Sequence, residues 1–223
     1  MAQILQRFKT WCTKRVIAVT HMIHRKRLKR RLKNQNFSIL ANNCVGVIIL
    51  HDLRLQFNSP TINLFFPSDD EFITYLEYLP FYVKSQLEEW KMPDYSCPAG
   101  ILKGNTEQGG GIPDIHLCFL HYQTFADAKD KWVTRTARIH FDNIYIMMDA
   151  KKLTDELLAH FEKLPYANKQ ILTYGKQWNH PLVHTMQSIE KHVIGKILWF
   201  KGLSGRRYLD EFDFVSFLNR PSH

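Results

Sequence analysis

The chain predicts an α/β fold of three layers, α/β/α, around a mostly parallel or mixed sheet, preceded by a basic amphipathic helix. Two observations predict this. Past residue 33, short runs rich in β-branched and aromatic residues alternate with longer stretches whose apolar residues recur every three or four positions. Up to Lys33 the charge is all positive: eleven of the 30 Lys and Arg residues lie there, and none of the 21 Asp and Glu. The net charge of +9 therefore belongs to this segment, and the remainder is close to neutral. The boundaries that follow are an arm over 1–35 and a single α/β domain over 36–223. A 45% hydrophobic and 13% aromatic content gives that domain a core and excludes a disordered chain.

In the arm, Leu5, Phe8, Cys12, Val16, Val19 and Ile23 form one helical stripe, with Arg7, Lys9, Lys14 and Arg15 mostly off it. RKRLKRRLK follows, broken only by Leu28 and Leu32. Apolar burial at the headgroup boundary and attraction of each cation to anionic lipid add together. The expected partner is thus an anionic membrane surface, met by Phe8, Trp11, Lys14, Arg15, Arg27, Arg30 and Arg31. Nucleic acid is the rival for the same cations, but the body has no basic surplus and no zinc, RNA-recognition or helix-turn-helix signature, so no nucleic-acid partner is expected. No apolar run is long enough to span a bilayer, and charges interrupt any signal-peptide core. Cys12, Cys44, Cys97 and Cys118 are scattered without the close pairing of a zinc site. The expected location is cytoplasmic, peripheral on the inner face of the cell membrane.

The body then reads in order. FSIL is a strand that breaks at Ala41-Asn42-Asn43-Cys44, and VGVIILHDL restarts with helical spacing. TINLFFP reads as a strand and DDEFITYLEYLPFYVKSQLEEW as one helix, with Ser68 or Asp69 as N-cap. AGILKG and DIHLCFLHY are strands separated by GNTEQGGGIP, a hairpin loop or flap; no lysine and hydroxyl residue open a helix there as a phosphate loop requires. TFADAKDKWVTRTARI is a helix, NIYIMMD a strand, LTDELLAHFEKL a helix and KQILTYG a strand. RRYLDEFDFVSFLN has helical spacing at Tyr208, Phe212, Val215 and Leu218.

Chemistry concentrates where strands end, because ligands of open α/β sheets bind beyond the carboxyl ends of the strands. Cys44 stands at a helix N-terminus, where a thiolate is favoured, and His121 ends a strand where it could act as acid or base. A buried apolar cysteine and a structural histidine are the plainer readings of the same two residues. Asn42 and Asn43 offer amides to ligand hydroxyls or to the turn itself. Asn58 and Ser59 precede a strand and either meet the same edge or form a bare turn. Trp132, Arg135 and Arg138 share neighbouring helix faces, where the arginines could clamp a phosphate or pair with Asp127 or Asp130. Ser68-Asp69-Asp70-Glu71 is a helix start and Asp210-Glu211-Phe212-Asp213 the polar face of a helix, so no metal is expected.

Seven stretches carry a resemblance: FSILANNCVG, LQFNSPTINLFF, HLCFLHY, the run from Trp132 to Ile139, NIYIMMD, LPYANKQILTY and SGRRYLDEFDFVSFLN. Over about Phe37 to Asn219 the chain resembles bacterial proteins carrying the domain of unknown function nineteen-nineteen, often labelled exopolysaccharide or capsule biosynthesis proteins. Members often carry a bulky aromatic and paired glycines after the cysteine, where this chain has Val45-Gly46-Val47. The resemblance implies a three-layer α/β fold and a cell-envelope polysaccharide context, without a demonstrated reaction. The expected activity is metal-independent glycosyl transfer onto a lipid-linked saccharide. In that reading no cofactor is needed beyond a nucleotide-sugar donor, the arginines meet diphosphate, the asparagines orient sugar hydroxyls and His121 is the base. Acyl or other substituent transfer through Cys44 or His121 is the second reading, and a non-catalytic saccharide-binding scaffold the third.

Overall fold

The structure, a computed structural model, describes residues 2–93, 95–105 and 111–221, without the side chains of residues 2–5, 8 and 9. Phe8 of the arm and the glycine-rich segment 106–110 thus lie outside what is described. In chain order the elements are α1 (Ala2–Arg31), β1 (Ser38–Ala41), α2 (Val45–Leu53), α3 (Asp69–Glu77), α4 (Leu79–Tyr82), β2 (Leu87–Trp90), β3 (Ala99–Leu102), β4 (Ile115–Cys118), α5 (Phe125–Thr136), β5 (Ile144–Asp149), α6 (Asp155–Glu162), β6 (Asn168–Tyr174), β7 (Val183–Met186) and α7 (Phe214–Leu218). Single 3-10 turns cover Lys196–Leu198 and Tyr208–Glu211.

Four strands form a parallel sheet in the order β1-β5-β6-β7. All six residues of β5 are buried, as expected of a central parallel strand covered on both faces. The two-residue period of the strand sorts them: Ile144, Ile146 and Met148 face a core built with α3, α5 and α6, while Tyr145 and Met147 face one built with α1, α2 and α7. This is the three-layer α/β fold the periodicity predicts. Ser68, Thr124 and Thr154 cap α3, α5 and α6, each side-chain oxygen accepting a hydrogen bond from the amide three residues on.

Five details differ from the sequence reading. The stretch 69–90 is not one helix: α3 ends before Tyr78, Pro80 sits in the first turn of the short α4, and LEEW becomes β2. β2, β3 and β4 pair antiparallel in a separate three-stranded sheet. TINLFFP contributes only a bridge between Phe65 and Cys118, because Asn63 turns the backbone to φ 62°, a region asparagine tolerates better than most residues. RRYLDEFDFVSFLN breaks at Asp213, which is not on a helix face but caps α7, accepting from the Ser216 amide. β7 is a strand the sequence reading did not name.

The arm, read from the sequence over 1–35, touches the body. The second half of α1 is built into the body: Leu28 and Leu32 are buried in the core with Ile39, Leu50 and Val215. Two buried histidines extend the contact, with His24 Nε2 2.7 Å from Asp210 Oδ1 and His21 Nε2 3.0 Å from Asp52 Oδ1. Asp52 also accepts from Arg207 Nε at 2.9 Å, and Arg25 Nε donates to the Asp52 carbonyl at 3.1 Å. One α2 carboxylate therefore ties α1 to the segment before α7.

Burial alone would raise the Asp52 carboxyl, but hydrogen bonds from His21 and Arg207 outweigh it and hold the group well below the ordinary carboxylate range. A depressed folded-state value stabilises above the unfolded value, near 4, and the contribution is lost as pH falls through the folded value. Asp52→Asn is expected to lose about 2 kcal/mol at neutral pH, because it leaves the half-buried Arg207 guanidinium without its counter-charge. In thermal melts the gap between wild type and variant should hold constant above about pH 5 and narrow below about pH 4. A gap that widens on acidification would contradict this.

Candidate functional site

In a parallel sheet all carboxyl ends lie along one edge, and here β1, β5 and β6 end in Asn42-Asn43-Cys44, Asp149 and Tyr174. The connection from β1 enters α2 on one face, whereas that from β5 enters α6 on the other. The edge between β1 and β5 is thus a topological switch point, the place where open α/β sheets form their crevice. A pocket of about 690 Å³ opens there. Most of its wall is apolar, from Val47, Ile48, Phe57, Phe65, Phe66, Leu120, Ile194, Ile197 and Leu198; Asn42, Asn43, Cys44, His121, Asp149, Lys151 and His192 contribute polar groups.

Asn42 continues the β1–β5 ladder with its side chain. Its Oδ1 accepts from the Asp149 amide at 2.9 Å, and its Nδ2 donates to the Asp149 carbonyl at 3.1 Å and to Asp69 Oδ1 at 2.9 Å. Asn43 Nδ2 donates to Asp149 Oδ2 at 2.8 Å, while its Oδ1 accepts from the Val45 amide at 3.0 Å and so fixes the turn into α2. Both asparagines are braces, and the amide atoms expected to orient sugar hydroxyls are already engaged. Gly46 lets α2 begin against β1: a Cβ there would lie 3.1 Å from the Ala41 Cβ.

Asp149 is the buried centre of this network. Its Oδ1 accepts from the Tyr174 hydroxyl at 2.5 Å, and His192 Nε2 lies 3.9 Å from Oδ2. Burial raises its carboxyl above the ordinary range against the lowering effect of the Tyr174 and Asn43 bonds; Asp69, tied to it through Asn42, is raised by burial as well.

Cys44 is the N-cap of α2, yet its side chain makes no capping bond. Its Sγ lies instead 3.8 Å from His121 Nε2, which arrives from the end of β4. The two residues singled out for chemistry from separate stretches therefore meet at the pocket. Burial pushes the Cys44 thiol up to about 11, against the pull of the helix dipole. The pair is thus a neutral thiol beside a base rather than a preformed thiolate–imidazolium.

The other candidates fall elsewhere. Trp132 is buried in the core, edge-on to Tyr75 at 6.2 Å. Arg135 stands behind the wall, over the Phe57 ring and donating to the Tyr122 hydroxyl at 2.5 Å, and Arg138 is exposed away from the pocket. Asn58 Nδ2 lies 3.3 Å from His140 Nε2. The fully buried Ser59 accepts from the Thr61 amide at 3.2 Å, and Thr61 Oγ1 in turn accepts from the Ala41 amide at 3.1 Å. These two hold the loop beside β1. Asp149, Tyr174 and His192 were not singled out from the sequence; a lone carboxylate closing an otherwise apolar strand, as in IYIMMD, was the signal for the first.

The comparison of the whole chain with known families matches the domain of unknown function DUF1919 over residues 15–219. The chain belongs to this family. The match begins inside α1, not at Phe37, in keeping with the burial of that helix against the body. The DUF1919 chain is also 35% identical over 194 residues to an uncharacterized protein of Haemophilus influenzae, an alignment covering 86% of this chain and 88% of that one. Neither description names an activity.

A neutral Cys44 has a direct test. Alkylation by iodoacetamide, followed at the Cys44 peptide, should accelerate about tenfold per pH unit through neutrality and keep rising past the plateau of an ordinary thiol. A rate that levels off below about pH 8 would instead show a preformed ion pair.

Proposed function

We propose that this protein is a cysteine-dependent acyl transferase. Cys44 takes an acyl group from an activated ester or thioester and passes it to a hydroxyl of a saccharide acceptor. The observation that carries this reading is the 3.8 Å approach of Cys44 Sγ to His121 Nε2 at the lip of a largely apolar pocket. A nucleophile, a base within reach and an apolar wall for the acyl chain are the parts that acyl transfer needs.

The steps follow from those parts. As Sγ attacks the donor carbonyl carbon, the thiol proton passes to His121 Nε2 and a sulfur–carbon bond forms. The donor's carbon–oxygen or carbon–sulfur bond then breaks, and the leaving group takes the proton from His121. The acceptor hydroxyl next attacks the thioester and gives its proton to His121. The sulfur–carbon bond breaks, and Cys44 recovers that proton. In the first turn of α2 the Val45 amide is held by Asn43 Oδ1, so the amides of Gly46 and Val47, with no carbonyl one turn back, are the ones to meet the negative charge that develops on oxygen. Asp149 is a positioning residue: through Asn43 it holds the turn that aims Cys44.

Glycosyl transfer has less support at this site. The arginines offered for diphosphate stand outside the pocket, and Arg207, which does line it, is paired with Asp52. The saccharide acceptor is drawn from the resemblance to polysaccharide-biosynthesis proteins. The apolar wall supports an acyl group several carbons long.

With p-nitrophenyl octanoate as donor, the full chain should release a stoichiometric burst of nitrophenolate. Cys44→Ala should abolish the burst, and His121→Ala should slow it by about 10²–10⁴-fold, the usual worth of a positioned base. Arg138→Ala should leave it unchanged. An undiminished burst from Cys44→Ala would remove the cysteine mechanism.

A further inference from the structure

The side of α1 that packs on the body carries His21, His24, Leu28 and Leu32. At 3.6 residues per turn, Val16, Val19 and Ile23 lie on the opposite side of the helix, and they are 43%, 53% and 42% exposed. These are three of the stripe residues read from the sequence, and the body does not cover them.

A second exposed apolar feature adjoins this stripe. Thr20 Oγ1 donates to the Leu203 carbonyl at 2.8 Å, and the His21 ring meets Phe200 edge-on at 4.8 Å. Val16 and Ile23 are the neighbours of Thr20 four residues before and three after it, so the loop that carries Leu203 borders the stripe. In that loop Leu203 is 52% exposed, Trp199 58% and Ile194 82%. The same loop is a wall of the pocket, through Ile194, Ile197 and Leu198.

We infer that the outward face of α1 and the loop carrying Ile194, Trp199 and Leu203 form one surface that docks on an anionic lipid bilayer and brings the apolar pocket against it. Charge selects this occupant. Eleven basic residues and no acidic ones lie in the first 33 positions; Arg31 pairs with Asp213 and Arg25 is turned to the body, but a second copy of the chain would still set two basic helices against each other, whereas acidic headgroups neutralise the remaining cations. Aliphatic side chains and an exposed tryptophan amid lysines and arginines are the side chains that settle at the headgroup boundary. Among the described residues no helix is long and apolar enough to cross a membrane, so the contact is on one leaflet. This docking is independent of the chemistry at Cys44, and its test involves no turnover.

The test is co-sedimentation of the full chain with phosphatidylcholine vesicles, with and without phosphatidylglycerol. Wild type should bind the anionic vesicles at least about tenfold more tightly than the neutral ones, and lose that preference in high salt. Val16→Asp with Val19→Asp, and separately Ile194→Ser with Trp199→Ala, should each weaken binding at least about fivefold at an unchanged melting temperature, since all four side chains are exposed. Wild type left in the supernatant with both vesicles would overturn the proposal. So would loop variants that bind like wild type. A dimer that both pairs of substitutions dissociate, with no vesicle binding, would show that a second copy covers this face instead.

Discussion

The pairing of Asn42 with the backbone of Asp149 is the constraint on which the site depends. A strand that ends beside a neighbour leaves amide and carbonyl groups without partners, and in a buried edge each orphan costs about 1–3 kcal/mol. Asn42 supplies both partners from one side chain, so the β1–β5 ladder closes one residue past Ala41 and the chain is free to turn. The Asp149 carboxyl is then held at the switch point with Asn43 and Tyr174 upon it. The turn, the start of α2 and the place of Cys44 all follow from that geometry.

What the geometry offers Cys44 is an uncharged start. Burial outweighs the helix dipole, so the thiol keeps its proton at neutral pH. The pocket is finished by elements far away in sequence: His121 comes from the turn after β4, Phe65 from the bridge beside that strand, and Ile197 and Leu198 from a loop that Arg207 and Asp52 fasten to α1 and α2. The α1 helix therefore bears on the shape of the pocket even though none of its described side chains lines it.

Much of the fold was legible because its signals are local. The continuous apolar run of β5, the cap at Ser68 and the strand-to-helix turn at Asn42–Cys44 depend on spacing and residue type alone. The helix over 69–90 failed where one proline competed with a strong helical period, and tertiary pairing then drew LEEW into a strand. The arm was read as separate because its cations dominate its composition. The buried residues of α1 include two histidines, whose burial is made possible by Asp52 and Asp210, carboxylates 31 and 186 positions away. At the site, Cys44 and His121 could be named from their places at strand ends, but their meeting spans 77 positions and no period encodes it. The asparagines line the pocket, and their role was not legible, because only the structure shows which partners their amides already hold.

The most direct measurement is the intact mass of the full chain after incubation with octanoyl-coenzyme A, followed by peptide mapping. A covalent cysteine mechanism predicts one octanoyl group on Cys44, removable by hydroxylamine as a thioester must be and slow to form in His121→Ala. No mass gain, or a gain that persists in Cys44→Ser, would contradict it.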